Sequence, residues 1–307
     1  MTKPRVKLII NPNADMGNAW RYAANLKHIA EQHADVDWAG TVYPTHATEL
    51  ARKAAEDGYD IVVALGGDGT VHEVINGLMQ AKKRPILGVV PFGSGNDFAH
   101  NVGVPGDAEQ ALAAIFTGVP KKIDLATITD NLGRTEFWDN TLNMGFGGAV
   151  TIHSHKMPLL RGFIMYLAAV LQTIFMSYIT LDSEITADGQ TWTDRLMMIA
   201  VNNGPREGGG FVTGPDAKLD DGILNLSTVQ RVSRGMMLAM LPFFMQGTQS
   251  RFKQVKFFTF KKLDIKTQQD LVIHTDGEVF AGFKSGVRHV TIELLPAALE
   301  VMVPKGK

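Results

Sequence analysis

The sequence predicts two domains: a doubly wound α/β domain over residues 1–128 and a mainly β, sandwich-like domain over residues 129–307. Three observations predict this division. Strand-like and helix-like segments alternate over the first third of the chain. After about residue 128 the pattern changes to short β segments rich in turns. Two successive strands in the first third each end in a glycine-rich turn.

In chain order, apolar runs at 6–10, 37–43, 61–65, 86–91 and 123–127 read as strands. Residues with helical spacing fill the gaps at 18–33, 47–57, 71–79 and 108–116. Strands joined through helices run parallel, because a crossover returns the chain to the same edge. The second domain is expected to hold strands near 138–144, 181–187, 193–202, 222–229, 256–260, 263–267, 271–275 and 289–294. Helices at 162–180 and 234–245 interrupt them. A last strand lies within 297–304.

With 45% hydrophobic and 20% charged residues, the 307-residue chain can build two cores. A net charge of −1 gives no basic excess for a nucleic acid partner, and the absence of cysteine removes disulfides and thiolate chemistry. The first strand begins by Val6, leaving no room for a signal-peptide core, so the chain is expected in the cytoplasm. Residues 162–180 carry no charge. Gln172, Thr173, Ser177 and Tyr178 temper the run, and a bilayer crossing would separate the motifs on either side. It is read as a buried or surface-docking helix with no transmembrane anchor.

Gly66-Gly67-Asp68-Gly69-Thr70 follows a strand and opens a helix. Residues without Cβ admit a phosphate to the backbone, and the helix N-terminus supplies N–H groups and partial positive charge. Asp68 would repel that anion unless a metal or a proton transfer gave it work, which points to phosphoryl transfer. The next strand ends in Pro91-Phe92-Gly93-Ser94-Gly95-Asn96-Asp97-Phe98. Neither a Walker sequence nor a Gly-x-Gly-x-x-Gly turn at residues 11–17 is present.

Together with Asn11-Pro12, Thr41 before His46-Ala47, Glu73, Ile123-Asp124, residues 143–147, residues 215–222 and Asp276-Gly277-Glu278, these turns resemble the diacylglycerol kinase catalytic-domain family. The likeness is to its stand-alone bacterial lipid kinases. One departure is Ser94, which stands where many members have threonine and keeps the hydroxyl.

The resemblance implies a first domain of the kind shared with NAD kinases and an ATP-dependent transfer to a lipid hydroxyl, diacylglycerol first among candidates. It implies a nucleotide cradle of Asn11, Thr41, Gly66, Gly67, Asp68, Gly69, Thr70, Glu73, Gly93, Ser94 and Asn96. Glu278 is the favoured general base with Asp276 its rival or partner, and Asp68 organises Mg²⁺–ATP. It further implies a structural Mg²⁺ on the Asp221 side chain and the Lys218 and Ile223 carbonyls, with Asp68, Asp97 and Asp124 joining through water. The last strand is expected to return to the first domain, and the lipid to come from the inner membrane face. A homodimer is left open. An NAD kinase and a non-catalytic nucleotide- or lipid-binding regulator are the competing readings.

Overall fold

The structure, a computed structural model, describes residues 3–157, 160 and 162–306. It divides into two compact units, residues 1–123 with 297–307 and residues 124–296.

The first unit alternates β1 (Arg5–Ile10), α1 (Asn18–Glu31), β2 (Asp35–Gly40), α2 (His46–Glu56), β3 (Ile61–Gly66), α3 (Asp68–Met79), β4 (Ile86–Pro91), α4 (Asp97–Asn101) and α5 (Ala108–Thr117). Its strands are parallel in the order β2-β1-β3-β4. Every residue of β3 is buried, so its apolar run is continuous rather than alternating, as helices on both faces require. In α1 the buried residues Ala19, Ala23, Leu26 and Ala30 fall on one helical stripe. The direction of strand order reverses between β1 and β3, and the carboxyl ends at such a switch point are where open α/β sheets bind ligands.

Two of the boundaries that differ from the sequence expectation bear on the glycine turns and the segment before α2. β2 stops at Gly40 rather than residue 43. The Thr41 N–H still donates to Ile10 at 2.8 Å, but Pro44 has no N–H and Thr45 turns to φ +70° before α2 begins. α3 begins at Asp68, three residues early, so Asp68, Gly69 and Thr70 form its first turn.

The chain continues through β5 (Val119–Asp130), which enters the second unit at Asp124, then β6 (Thr135–Trp138), β7 (Thr141–Gly145), α6 (Phe146–Ser154), α7 (Gly162–Met176), β8 (Leu181–Ala187) and β9 (Gln190–Asn202). There follow β10 (Leu224–Gln230), α8 (Arg234–Gln246), β11 (Val255–Phe260), β12 (Lys262–Thr267), β13 (Ile273–Thr275), β14 (Glu278–Ala281) and β15 (His289–Val303). From Ala297 onward β15 belongs to the first unit, where Val301 pairs in parallel with Leu87 of β4.

Within the second unit the named strand pairings are antiparallel. β9 is shared: its first half pairs with β8, its second half with β7, and β10 lies along its other edge. Leu196, Ile199 and Val201 point into a core with Trp138, Leu142 and Ile265, whereas Met198 and Ala200 face a second cluster with Val150, Val170, Met237 and Met240. That two-sided burial explains the unbroken run from Leu196 to Val201. Each such large side chain contributes roughly 1.5–3 kcal/mol on burial.

α6 was not legible in the sequence. Its first turn holds Gly147 and Gly148, and a Cβ on Gly148 would lie 2.2 Å from the Val272 carbonyl oxygen. Glycine is what lets this helix lie flush against the strand side. α7 is shorter than the uncharged run that suggested it. The Arg234 guanidinium donates to the Ile174 carbonyl at 2.9 Å and satisfies the helix end. Ala169, Val170, Thr173 and Ile174 are buried on one face, while Ile164 and Phe175 stay 66% and 60% exposed on another. Among the described residues no helix is long and apolar enough to cross a membrane.

Candidate functional site

In the first unit the two glycine turns meet backbone to backbone. A Cβ on Gly93 would stand 2.4 Å from the Gly67 Cα, and one on Gly66 would strike the Thr70 hydroxyl at 2.2 Å. No side chain can replace hydrogen there without moving a turn. Asn96 holds the second turn closed. Its Oδ1 accepts from the Gly93 N–H and its Nδ2 donates to the Gly93 carbonyl, both at 2.8 Å. To do so it sits at φ +50°, a conformation asparagine tolerates better than most residues.

Asn11 Nδ2 reaches the Thr70 hydroxyl at 3.4 Å, joining the end of β1 to the first turn of α3. Asp68 Oδ1 accepts from the Phe98 N–H at 3.1 Å, tying α3 to α4. Asp97 is buried at the start of α4, and the Ser94 side chain is exposed on the turn. Gly67, Asp68 and Gly69 are half-buried above the N-terminus of a twelve-residue helix. The arrangement can receive an anion.

Glu73 has a different job from the other cradle candidates. Its two oxygens accept from the Thr45 and Ala47 N–H groups at 2.9 and 3.0 Å, so it caps α2 rather than reaching toward a ligand. Thr41, half-buried after β2, is placed by its own N–H on Ile10.

The remaining candidates lie in the second unit. Asp124 is buried, its Oδ2 accepting from the Gly222 N–H at 2.7 Å and its N–H donating to the Leu219 carbonyl at 2.6 Å. Asp221 is exposed on the same loop, and its Oδ1 accepts from the Ile223 N–H at 3.3 Å. The structure thus gathers Lys218, Asp221, Ile223 and Asp124 around one loop. Its available donors, two carboxylates and backbone carbonyls, are all oxygen, the donor type that Mg²⁺ prefers. Asp68 and Asp97 belong to the first unit.

Asp276 and Glu278 flank the turn of the β13–β14 hairpin and differ sharply. Asp276, at φ +50°, is 8% exposed, and its carboxylate accepts from the N–H groups of Asp139, Asn140 and Thr141 at 2.9–3.0 Å. It staples the turn to the start of β7. Glu278 opens β14 with an exposed side chain. Two further residues lie beside this hairpin, His274 just ahead of the turn in sequence and Glu207 from the 206–210 loop. His274 and Glu207 are both buried, with His274 Nε2 3.4 Å from Glu207 Oε2. A glutamate inside the glycine-rich run at 206–210 is a signal visible only in retrospect, since such loops usually carry exposed acids.

The second unit also contains a cavity of about 70 Å³ between β9, β10 and the helices α6, α7 and α8. It is walled by Val150, Tyr166, Val170, Met198, Phe211 and Met240, with Glu207 at its edge.

Comparison with known proteins finds two family models in order along the chain. The "Diacylglycerol kinase catalytic domain" matches residues 5–128, and the "YegS C-terminal NAD kinase beta sandwich-like domain" matches residues 140–303. A "Probable lipid kinase YegS-like" protein of Yersinia pestis (strain Pestoides F) is 31% identical over 309 residues, 98% of this chain and 97% of the relative. A protein of the same description from Chromohalobacter salexigens is 29% identical over 313 residues, covering 97% and 96%. The solved structure of a "putative diacylglycerol kinase" from Bacillus anthracis str. Sterne superposes with a TM-score of 0.82 at 25% identity, covering 99% of this chain and 97% of that one. With both domains matched in order and a relative alike over nearly its whole length, the chain belongs to the diacylglycerol kinase catalytic-domain family, with the YegS-type sandwich as its second domain.

Proposed function

We propose that the protein is an ATP-dependent lipid kinase that transfers the γ-phosphate to a lipid hydroxyl, diacylglycerol being the favoured acceptor and phosphatidic acid the product. The first unit would hold the nucleotide phosphates on the N–H groups around Gly67 and Gly69, with the Gly93 turn closing against them. Glu278, exposed on its hairpin, would take the acceptor's proton as general base. Asp276 accepts three backbone N–H groups and is better suited to hold the turn than to receive a proton. Asp68 would organise the Mg²⁺ of Mg²⁺–ATP, whose positive charge would meet the developing negative charge on the phosphates, and a separate structural Mg²⁺ would sit on the Asp221 side chain and the Lys218 and Ile223 carbonyls beside Asp124.

The observation that carries the lipid reading is the apolar cavity of the second unit, whose walls offer methionine, valine and aromatic side chains. An acyl chain is the substrate part that such walls suit. The exposed Ile164, Leu171, Phe175 and Met176 of α7 add an apolar face fit to touch a bilayer from which the lipid is drawn. An NAD kinase is the competing reading, favoured by the NAD kinase-like description of the second domain.

The test is transfer of labelled γ-phosphate from Mg²⁺–ATP to diacylglycerol, monoacylglycerol, phosphatidylglycerol, sphingoid lipids and NAD. Labelling of a lipid that is lost in Glu278→Gln supports the proposal. Labelling of NAD alone overturns it, and ATP binding without any transfer would favour a regulator.

A further inference from the structure

We propose that Glu207 and His274 form a buried positioning pair that fixes the Asp276-Gly277-Glu278 turn and so sets the aim of Glu278. The inference deepens the kinase reading and rests on it for the role of Glu278. The geometry of the pair stands on its own.

His274 Nδ1 lies 3.3 Å from the Gly277 N–H. A backbone N–H can only donate, so Nδ1 must carry a lone pair, and in the neutral ring the proton then sits on Nε2. That nitrogen faces Glu207 Oε2 at 3.4 Å, and among the described residues neither atom has another hydrogen-bond partner. The other Glu207 oxygen accepts from Asn143 Nδ2 at 3.1 Å, and Asn143 lies opposite His274 in the β7–β13 register. A chain of contacts therefore runs from Asn143 through Glu207 and His274 to the peptide N–H that immediately precedes Glu278.

The opposite side of the same glycine is also held. His155, which follows α6, places Nε2 3.1 Å from the Gly277 carbonyl oxygen. Gly277 itself sits at φ +85°, and among the described residues no atom beyond its two chain neighbours lies within 4 Å of where a Cβ would be, so crowding does not fix it. Polar contacts do.

Burying a carboxylate costs several kcal/mol unless it is well partnered, and an apolar pair of similar volume is often no worse for stability. Stability alone is thus a weak reason for Glu207 at this place. Orienting an imidazole through one nitrogen so that the other can hold a turn is a specific use for it. A misplacement of about 1 Å in a reacting group can cost on the order of 100-fold in rate, which gives such a device its leverage.

Two readouts test the pair. In protein labelled with ¹⁵N-histidine, two-bond ¹H–¹⁵N correlations should show His274 neutral with its proton on Nε2, and hydrogen exchange should show a protected Gly277 amide. Glu207→Gln and His274→Leu should each speed that exchange at least about tenfold and lower kcat by about tenfold or more, leaving the KM for ATP unchanged. His274→Asn, which keeps an acceptor near the position of Nδ1, should recover most of the kcat that His274→Leu loses. A proton on Nδ1 overturns the proposal, as does unchanged Gly277 exchange in Glu207→Gln. If His274→Leu fails to fold, Glu207→Gln and the tautomer decide. If the unaltered protein transfers phosphate to no acceptor, the kinase reading fails while the tautomer and exchange data still judge the pair.

Discussion

The two units build their binding turns by opposite means. In the first, the turns after β3 and β4 are shaped by missing side chains, with Gly67 and Gly93 touching through their backbones. In the second, turns are shaped by carboxylates that collect backbone N–H groups. Asp276 takes those of residues 139–141, Asp130 those of Leu132 and Arg134, Asp188 those of Lys261 and Lys262, and Asp124 that of Gly222. In that cradle Asn96 takes the Gly93 N–H and Asp68 the Phe98 N–H, so the N–H groups it offers a ligand are those of the first turn of α3, around Gly67 and Gly69. A turn stapled by carboxylates has used such groups already, and presents a side chain instead.

The largest effect should separate these two devices. Glu278→Gln is expected to lower kcat by about 10²- to 10⁴-fold, the usual contribution of a general base, while ATP affinity and melting temperature stay unchanged. A loss of ATP binding instead would show that the hairpin serves the nucleotide. Next, Gly93→Ala would drive a Cβ to 2.4 Å from the Gly67 Cα. It should cost about 3 kcal/mol in urea unfolding and weaken ATP binding, and an alanine variant with wild-type affinity would break the backbone-cradle account.

Asp276→Asn should cost about 2 kcal/mol, because the amide turns an N–H toward one of the three N–H groups that the carboxylate accepts from. Its loss of activity should accompany that instability, whereas that of Glu278→Gln should not. Acid gives a smaller test. Burial raises the Asp130 carboxyl, but the Arg134 and Leu132 N–H groups and the Arg134 guanidinium outweigh it and hold the group below the usual carboxylate range. A depressed carboxylate stabilises the fold above its unfolded value of about 3.9 and loses that contribution as pH falls toward the folded one. Asp130→Asn should therefore flatten the decline in unfolding free energy below about pH 4, seen in urea titrations at stepped pH. The smallest effect is expected at Ala297, whose φ of +49° lies within β15. Ala297→Gly should change stability by no more than about 1 kcal/mol, relieved strain offsetting the added freedom of the unfolded chain.

The same contrast explains what could be read from sequence. Gly66, Gly67 and Gly93 announce themselves because only glycine fits, and they lie next to the strands that position them. The β-rich second domain was legible as a class, from its short strands and turns. Its details were not. The determinants of the Asp276 turn are at residues 139–141, 155 and 207, brought near only by tertiary pairing. Glu73 was legible as part of the motif set but not as the cap of α2, since its partners lie 26 and 28 residues away. The split of 138–144 into β6 and β7 and the continuity of β15 across 289–303 likewise depend on partners distant in sequence.

One feature of the hairpin also bears on chemical ageing. An Asp-Gly peptide is the sequence most open to isomerisation, because the side-chain carbonyl carbon can be attacked by the unshielded glycine nitrogen to close a succinimide ring. Here the Asp276 carboxylate is turned toward the N–H groups of residues 139–141, and the Gly277 N–H is turned toward His274. The folded protein withholds both reactants from each other. Isoaspartate at residue 276 should therefore accumulate in unfolded or heat-stressed samples, making its level a chemical record of how long the second unit has spent open.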